Sequence, residues 1–364
     1  MRILQITHQG DIGGSTNSIT WLTEGLAGRG HDVWLCCRPE SLIYSRFEGN
    51  PRVKLVPFEF GRSPLAFGRS RALARALRER RVDLVNAHAS LDRHLTIQAK
   101  YLFRGGFRLV HTRRNVPLST GGALQGRYYG AATDRIIAVS ERVAEGMAAG
   151  GVPRDRLSVV HNGIPLESYR SVPEEAVRAA RDSVGLREGE RVVGMMARKK
   201  GQAELLHAMK TVERKTTILF LGIDRDGELE GLRESLRLPH TVVYGGFRLD
   251  VIPYYKLLDL FVLPSVIEGF SLSILEAMAL GLPVVCTDAG GNAEAVEEGV
   301  NGFLFPPGDT ETFGAALRRL LEDDDLRRRI GEANREKAFA RFDVAETVRK
   351  AEAVYLSVMG EGSP

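Results

Sequence analysis

The sequence predicts an α/β protein made of two Rossmann-like domains, and three observations support this prediction. Its 364 residues are too many for one ordinary α/β core and suit two domains. A hydrophobic content of 43% with 26% charged residues is typical of a folded globular protein. Short apolar runs alternate with longer amphipathic segments, which predicts parallel sheets covered by helices on both faces.

The first series of alternating elements occupies about 160 residues. Helices are predicted at Ser18–Gly28 and Pro64–Arg81. The predicted strands are Ile3–Thr7, Asp32–Cys37, Leu84–Ala87, Leu109–Thr112, Arg135–Val139 and Leu157–His161.

The pattern then starts again. Strands are predicted at Arg191–Ala197, Thr217–Gly222, Thr241–Gly245, Leu260–Pro264, Pro283–Thr287 and Asn301–Phe305. Helices are predicted at Gly201–Val212, Glu228–Leu236, Val251–Leu258, Ser273–Gly281, Asn292–Glu298, Thr310–Asp323, Asp325–Phe342 and Asp343–Met359.

The junction between the two series lies near Asn162–Val172. We therefore predict an N-terminal domain of residues 1–165 plus 345–364, and a C-terminal domain of residues 166–344. The last helix is expected to pack back toward the N-terminal domain, and the two domains to face each other across a cleft. Because ligands of such sheets bind at the carboxyl ends of the strands, loops at those ends are the candidate site.

Charge is distributed unevenly along the chain. Residues 1–160 contain 24 Lys and Arg against 13 Asp and Glu, a net +11, and residues 161–364 contain 26 against 33, a net −7. A basic N-terminal half indicates phosphorylated lipid, an anionic membrane surface or nucleic acid as a partner. The alternative is a solvated, arginine-rich surface without a partner.

The cysteines and the hydropathy pattern bear on location. Cys36, Cys37 and Cys286 lack metal-ligand spacing and are predicted to be buried thiols of a reducing cytoplasm. No run reaches the ~18 apolar residues that a membrane span needs. The first apolar run, Ile3–Thr7, is too short for a signal peptide. We therefore expect a cytoplasmic protein.

The most informative stretch is P-S-V-I-E-G-F-S-L-S-I-L-E-A-M-A-L-G-L-P-V-V at residues 264–285. A strand ends at Pro264, a glycine-containing loop follows, and a helix begins near Ser271–Ser273. Amide groups of such a loop and first turn carry partial positive charge, which favours a diphosphate. Glu268 and Glu276 offer one carboxylate for a sugar and one for ribose hydroxyls. Taken singly, each is equally consistent with an ordinary surface acid.

A second candidate site is M-M-A-R-K-K-G at residues 195–201, between a strand and a helix. Two fixed cations in this loop would stabilise a nucleoside diphosphate as it leaves, without a metal ion. A third candidate is G-D-I-G-G-S-T-N at residues 10–17, where paired glycines allow backbone to approach a ligand closely. Asp224-Arg225-Asp226 matches a D-x-D metal motif in the wrong context, so no metal site is predicted.

The string from Glu268 to Val285 resembles glycosyltransferase family 4, retaining enzymes with the GT-B architecture. Their hallmark is E-G-F-x-x-x-x-L-E-A-M-A-x-G-x-P-V-V, and Gly290-Gly291 and Glu294 continue the likeness. The resemblance implies that Glu268 contacts the donor sugar and Glu276 the ribose. It also implies that the amides of Gly269, Phe270, Ser271 and Leu272 bind the sugar and diphosphate.

The resemblance assigns further residues in the loops that follow strands. Arg198 and Lys200 match an arginine and a lysine that bind the diphosphate, with Lys199 as a competitor for Lys200. Gly13 and Gly14 match a glycine pair near the donor phosphate, and Gly222 completes the donor-binding set. A family histidine that touches the donor sugar falls at Arg114 when aligned on Thr112, or at His111 three residues away. The predicted acceptor-side residues are Asn17, His88 and Arg114.

These features predict a metal-independent, retaining glycosyltransferase that uses no cofactor. Its partners would be a UDP-, GDP- or ADP-linked sugar and a saccharide or glycolipid acceptor of the cell envelope, such as lipopolysaccharide core, and its location the inner membrane face. The resemblance implies attack by the acceptor hydroxyl on the leaving-group face. The alternatives are a nucleotide-sugar binding protein, an inactive partner subunit or a sugar-nucleotide epimerase. A nucleic-acid binder would leave the acidic half unexplained.

Overall fold

The computed structural model describes residues 1–61, 67–115, 122–187 and 189–360. The chain divides into two compact units. Unit 1 is Met1–Gly163 together with the chain from Val344 onward, and unit 2 is Ile164–Asp343. Each unit contains its own parallel sheet flanked by helices, which confirms the predicted fold class.

The described residues of unit 1 form a sheet of seven strands in the order β3-β2-β1-β4-β5-β6-β7, and all neighbours run parallel. The strands are β1 (Arg2–Ile6), β2 (Asp32–Cys37), β3 (Val53–Pro57), β4 (Leu84–Ala87), β5 (Arg108–Arg113), β6 (Arg135–Ala138) and β7 (Leu157–Val159). The helices are α1 (Gly14–Gly28), α2 (Leu42–Phe47), α3 (Phe67–Glu79), α4 (Ser90–Tyr101), α5 (Gly122–Ala132) and α6 (Glu141–Ala149).

Unit 2 has a sheet of six parallel strands in the order β10-β9-β8-β11-β12-β13. The strands are β8 (Val192–Met196), β9 (Thr217–Leu221), β10 (Thr241–Gly246), β11 (Leu260–Leu263), β12 (Val284–Thr287) and β13 (Gly302–Phe305). The helices are α7 (Glu174–Ser183), α8 (Gln202–Met209), α9 (Gly227–Ser235), α10 (Ile252–Tyr255), α11 (Leu272–Ala279), α12 (Asn292–Ala295), α13 (Thr310–Glu322) and α14 (Asp324–Arg341).

The last helix, α15 (Val344–Gly360), returns to unit 1, as expected. Val348, Ala351 and Tyr355 lie in a buried cluster with Leu22 of α1. The two helices approach closely because α1 has a glycine at the crossing, where a Cβ on Gly25 would lie 2.4 Å from Val348. The 17-residue helix α15 is therefore part of the core of unit 1.

Several elements of unit 1 were not predicted. β3 ends in Pro57 and lies at the sheet edge, where a strand can lose a backbone donor. α5 contains three glycines, a composition that does not favour a helix by itself. Gly126 is needed there because a Cβ would lie 1.9 Å from the carbonyl oxygen of Gly150. Close packing, which the sequence pattern does not report, stabilises this helix.

The bounds of other elements differ from the predicted ones. α1 begins at Gly14 rather than Ser18, and α10 covers only four residues of the predicted helix 251–258. The helices α2, α4, α6 and α7 were also missed. The first residues of the predicted helix 64–81 and the last residues of the segment 345–364 lie outside the described residues. In the described part of the chain, every helix is too short or too polar to cross a membrane.

Candidate functional site

The turn into α11 in unit 2 carries the predicted diphosphate-binding amides. β11 ends at Leu263, and the loop through Gly269 and Phe270 leads to Ser271, the residue that precedes the helix. Among the described residues, no side chain caps this helix start, so the first amide groups keep their hydrogen-bonding capacity. The side chains of Phe270 and Leu272 are buried, which leaves backbone as the part of these residues that can bind a ligand.

Glu268 lies in the same loop and is only 8% exposed. Its carboxylate forms an ion pair with the ammonium group of Lys200. The loop is held by Gly290 and Gly291: the amide of Gly291 donates to the carbonyl of Gly269 at 2.8 Å. Gly290 has φ +55°, and a Cβ there would lie 1.8 Å from the carbonyl oxygen of Glu268. The glycine pair therefore fixes the backbone that carries Glu268.

The cationic loop of Arg198, Lys199 and Lys200 follows β8 and is exposed. Gln202 braces this loop, since its side chain accepts from the Lys200 amide at 2.5 Å and donates to the Arg198 carbonyl at 3.0 Å. Gly201 (φ +77°) lets this loop approach the end of β11, because a Cβ on Gly201 would lie 2.5 Å from the carbonyl oxygen of Pro264. No sequence motif marks Gln202 for this role.

Lys199 and Lys200 have different partners. The ammonium group of Lys199 lies 2.7 Å from Asp226 Oδ2 and 2.6 Å from Glu228 Oε2. The hydrogen bonds that Lys199 donates to these two carboxylates raise the pKa of its ammonium group. Asp226 also accepts from the amides of Glu228 and Leu229 at 3.0 and 3.1 Å and so caps α9. Asp226, one of the two acids of the D-x-D match, therefore has a structural role as helix cap and partner of Lys199. Lys200 is the lysine beside Glu268.

Gly222 directly follows β9 and lies against the start of the cationic loop. With φ +102°, a Cβ there would be 2.8 Å from the carbonyl oxygen of Ala197. Its amide donates to the carbonyl of Gly246 at 2.8 Å. The structure therefore brings Gly222 next to the backbone that leads into Arg198.

Glu276 lies in α11 and is buried, with an exposure of 7%. The hydroxyl of Tyr255 donates to its Oε2 at 2.8 Å, and Tyr169 forms a second hydrogen bond to this carboxyl. Burial raises the pKa of Glu276 to about 7, while the two tyrosine hydrogen bonds act in the opposite direction. A carboxyl held in this way gains or loses its proton near neutral pH. Sequence analysis did not identify either tyrosine, and no motif marks them.

In unit 1, the glycine loop leads from β1 into α1. Gly13 is the residue before the helix, Gly14 is its first residue, and no side chain in the described part of the chain caps this end. Asn17, in the first turn, accepts from Nη1 of Arg46 at 2.8 Å through its side-chain oxygen. The loop thus presents uncapped amide groups and one half-buried amide side chain.

His88 and Arg114 meet at the carboxyl ends of β4 and β5. Nη2 of Arg114 donates to Nδ1 of His88 at 3.0 Å, and its Nη1 donates to Ser18 Oγ at 2.8 Å. The other ring nitrogen of His88 lies 2.7 Å from Gln5 Oε1. Burial, and then the charge of Arg114, lowers the pKa of His88 well below its usual value. Burial also lowers the pKa of Arg114, to about 10.

His111 lies elsewhere, on the other face of the same sheet. Side chains alternate between faces along a strand, so His111 shares a face with Leu109, and Thr112 shares the opposite face with Arg114. The packing of the sheet is consistent with this alternation, because Leu109 and Val110 belong to different buried hydrophobic clusters. His111 is fully buried, and neither ring nitrogen has a partner among the described residues. Burial lowers the pKa of His111 well below its usual value.

A histidine and aspartate pair in unit 1 was missed. Nδ1 of His8 lies 2.8 Å from Oδ1 of Asp92, and the His8 amide donates to the same oxygen at 2.8 Å. Asp92 is fully buried. The two residues are far apart in the chain and meet only because β1 and β4 are neighbours in the sheet.

Two family models match consecutive parts of the chain. The model described as Glycosyltransferase Family 4 matches residues 12–168, and the model described as Glycosyl transferases group 1 matches residues 178–337. Together they cover most of both units. This chain belongs to the family 4 glycosyltransferases.

Curated relatives of this glycosyltransferase are similar over much of their length. EpsD of Bacillus subtilis (strain 168) is 27% identical over 296 residues, 76% of this chain and 77% of the relative. The D-inositol 3-phosphate glycosyltransferase of Nocardia farcinica is 31% identical over 283 residues, 68% of this chain and 61% of the relative. That of Corynebacterium urealyticum is 32% identical, and the chain spans 51% of its length.

Solved structures show the fold of the glycosyltransferase. HepE of Anabaena in complex with UDP has a TM-score of 0.84 at 24% identity, over 98% of this chain and 100% of that one. A glycosyltransferase from Rickettsia africae ESF-5 has a TM-score of 0.85 at 19% identity, over 99% of each chain. These likenesses confirm the GT-B fold that the sequence predicts.

Proposed function

We propose that this protein is a retaining glycosyltransferase that transfers a sugar from a nucleotide-sugar donor to a saccharide or glycolipid acceptor in cell-envelope glycan biosynthesis. One observation carries the proposal. The buried carboxylate of Glu268 and the ammonium group of Lys200 form an ion pair in the loop that leads to the uncapped start of α11. This arrangement supports the proposal because the acid could accept from sugar hydroxyls while the cation and the amides donate to phosphate oxygens.

The donor would bind to unit 2 through a few fixed groups. Phosphate oxygens would contact Lys200, Arg198 and the amides of residues 269–272, and Glu268 would accept hydrogen bonds from the sugar. Glu276 would accept from the ribose, since its two tyrosine partners hold its carboxyl in one orientation. Gly222, which lies against the backbone that leads into Arg198, would allow backbone to approach the donor. HepE is described in complex with UDP and with UDP-glucose, which makes UDP-glucose the first donor to test, before GDP- and ADP-linked sugars.

Charge stabilisation in this scheme needs no metal ion. The leaving nucleoside diphosphate gains negative charge as the glycosidic bond breaks, and Arg198 and Lys200 can hold that charge without reorganisation. Gln202 supports this role because it fixes the backbone on both sides of Lys199. Full activity in the presence of a chelator is the expected result.

The acceptor would bind to unit 1. His88 and Arg114 directly follow β4 and β5 at the carboxyl ends of these strands, and Asn17 lies in the first turn of α1. The sequence left the sugar contact open between Arg114 and His111, and we assign it to Arg114. The guanidinium of Arg114 forms hydrogen bonds with His88 and Ser18, whereas His111 is buried on the other face of the sheet. The basic charge of this half favours a cytoplasmic enzyme that acts at the inner membrane face.

The test is transfer from labelled donor to a glycolipid extract, with product linkage determined by NMR spectroscopy. Wild-type protein is expected to release nucleoside diphosphate and form an α-linked product from an α-linked donor. Glu268→Gln is expected to lower turnover about 100-fold or more with an intact fold, since it loses charge at the reacting sugar. Donor binding without turnover in any extract would favour a binding protein, and isomerised free donor would favour an epimerase.

A further inference from the structure

A buried polar network connects the last helix of unit 1 with the central strands of its sheet. Its members lie in β1, β4 and β5, directly after β4, or in α15, and they are Gln5, Asn86, His88, Thr112 and Tyr355. All five residues are at most 5% exposed. Buried polar groups need hydrogen bonds in place of their lost contact with water, so a network of this kind favours one arrangement of its members.

The network begins at Tyr355 of α15. Nδ2 of Asn86 donates to the hydroxyl oxygen of Tyr355 at 2.7 Å, although the two residues are 269 positions apart in the chain. The same nitrogen donates to Gln5 Oε1 at 3.1 Å, and Oδ1 of Asn86 accepts from Thr112 Oγ1 at 3.0 Å. Tyr355 and Asn86 are both fully buried, so the Asn86 amide depends on its protein partners for its orientation.

The position of the hydrogen atom on His88 follows from its two neighbours. Arginine has no acceptor, so Nδ1 of His88, which lies 3.0 Å from Nη2 of Arg114, must accept. The hydrogen of the neutral ring therefore lies on Nε2, which donates to Gln5 Oε1 at 2.7 Å. Burial, and then the charge of Arg114, lowers the pKa of His88 well below its usual value, which favours this neutral form. Gln5 thus fixes both the tautomer and the direction of the ring.

Arg114 depends on this ring because it has few other restraints. Among the described residues, no carboxylate neutralises its charge, and its Nε is buried without a partner. Its guanidinium donates to Ser18 Oγ at 2.8 Å and to the ring of His88. A cation that is held by two neutral groups follows the position of each of them. A rotated His88 ring would therefore redirect the guanidinium.

We propose that Tyr355 is a positioning residue for glycosyl transfer. Through two buried amides it fixes the ring of His88, and the ring orients the guanidinium of Arg114. The inference rests on the proposed function in one respect: Arg114 is taken to contact the sugar. The helix α15 then does more than complete the core of unit 1, because its tyrosine supports a residue of the site.

The experiment compares Tyr355→Phe with Val358→Ala. The first variant removes only a hydroxyl group from the network. The second truncates a side chain that is 1% exposed on the same helix and outside the network, so it shows what a loosened α15 does by itself. With UDP-glucose as donor and the glycolipid extract as acceptor, Tyr355→Phe is expected to lower kcat/KM about fivefold or more, but no further than Arg114→Gln. Val358→Ala is expected to change it by about twofold at most at a temperature where both variants are folded.

A double-mutant cycle distinguishes positioning from a structural effect. In the Arg114→Gln background, Tyr355→Phe is expected to lower kcat/KM by about twofold at most, because the group that it positions is gone. Losses that multiply in the cycle would overturn the proposal, and so would equal losses in Tyr355→Phe and Val358→Ala. Circular dichroism establishes that each variant folds. Gln5→Met, which removes the acceptor of the His88 ring, is expected to give the same cycle and replaces Tyr355→Phe if that variant does not fold.

A second measurement does not depend on transfer activity. In protein with isotope-labelled histidine at neutral pH, the wild-type His88 ring is expected to give the NMR signals of the Nε2–H tautomer alone. Tyr355→Phe is expected to add the Nδ1–H tautomer, which offers no acceptor to Arg114, whereas Val358→Ala keeps the wild-type signals. An unchanged tautomer in Tyr355→Phe would overturn the inference and leave the proposed function standing. A changed tautomer in a protein without transfer activity would retain the link from Tyr355 to Arg114 and reject the proposed function.

Discussion

The hydroxyl of Tyr255 lies 2.8 Å from Oε2 of Glu276, and both side chains are buried. The tyrosine is on α10 and the acid is on α11. Their contact orients the acid that we assign to the ribose, and burial raises the pKa of this acid from 4.5 to about 7. Protonation of this single carboxyl should therefore affect both stability and donor binding near neutral pH.

Glu276 is expected to lower stability as the pH rises from about 4.5 to about 7. In this window the unfolded carboxyl has lost its proton while the native one retains it, so the unfolded state binds fewer protons and the free energy of unfolding falls. The full effect is on the order of 3 kcal/mol. Urea unfolding of wild type and Glu276→Gln at pH 5 and pH 8 should show the variant gaining relative stability at the higher pH. An unchanged difference would mean that Glu276 is ionised throughout, and the exposed Glu213→Gln is the control.

Lys200 and Lys199 should differ strongly in their effect on turnover. Lys200→Gln is expected to lower kcat about 100- to 1000-fold, because it removes a cation from the leaving diphosphate. Lys199→Gln is expected to lower it no more than about threefold, since its surface ion pairs with Asp226 and Glu228 contribute little. Steady-state kinetics with a single donor decides between them. Comparable losses in both variants would contradict the assignment.

Gly290→Ala should disturb the donor site, whereas Gly308→Ala should cost only backbone strain. Both glycines have positive φ, +55° and +83°, and an alanine in this region costs about 1–2 kcal/mol. A Cβ at Gly290 would also lie 1.8 Å from Glu268 O, whereas nothing lies within 4 Å at Gly308. We expect Gly290→Ala to lose more stability than Gly308→Ala and to bind UDP at least tenfold more weakly. The check is denaturant unfolding combined with UDP titration.

Arg114 and His111 offer a direct comparison of the two residues left open by the sequence. His111→Leu removes two buried nitrogens without partners, so stability should stay the same or rise. Arg114→Gln breaks the hydrogen bonds to His88 and Ser18 and is expected to lower turnover about tenfold or more. If His111→Leu kept its fold but lost activity, the contact with the sugar would belong to His111.

Local pattern was sufficient for much of the fold. Apolar strands such as β1, β9 and β12 and the restart of the series after the junction were predicted because strand alternation is a local property. β3, α5 and α7 were not predicted from the sequence. An edge strand that ends in proline and a helix with three glycines form only because neighbouring elements pack on them.

The sequence alone determined the two α/β units, the two acids in the α11 region and the cationic loop, because each depends on residues close together in the chain. Only the tertiary structure decided which cation meets Glu268, which face of the sheet His111 occupies and which tyrosines hold Glu276. Lys200 and Glu268 are 68 residues apart, and Tyr255 and Glu276 are 21 apart. The first contact arises because neighbouring parallel strands bring the loops at their carboxyl ends together, and the second because α10 and α11 pack in the same unit. No periodicity within a single segment encodes either contact.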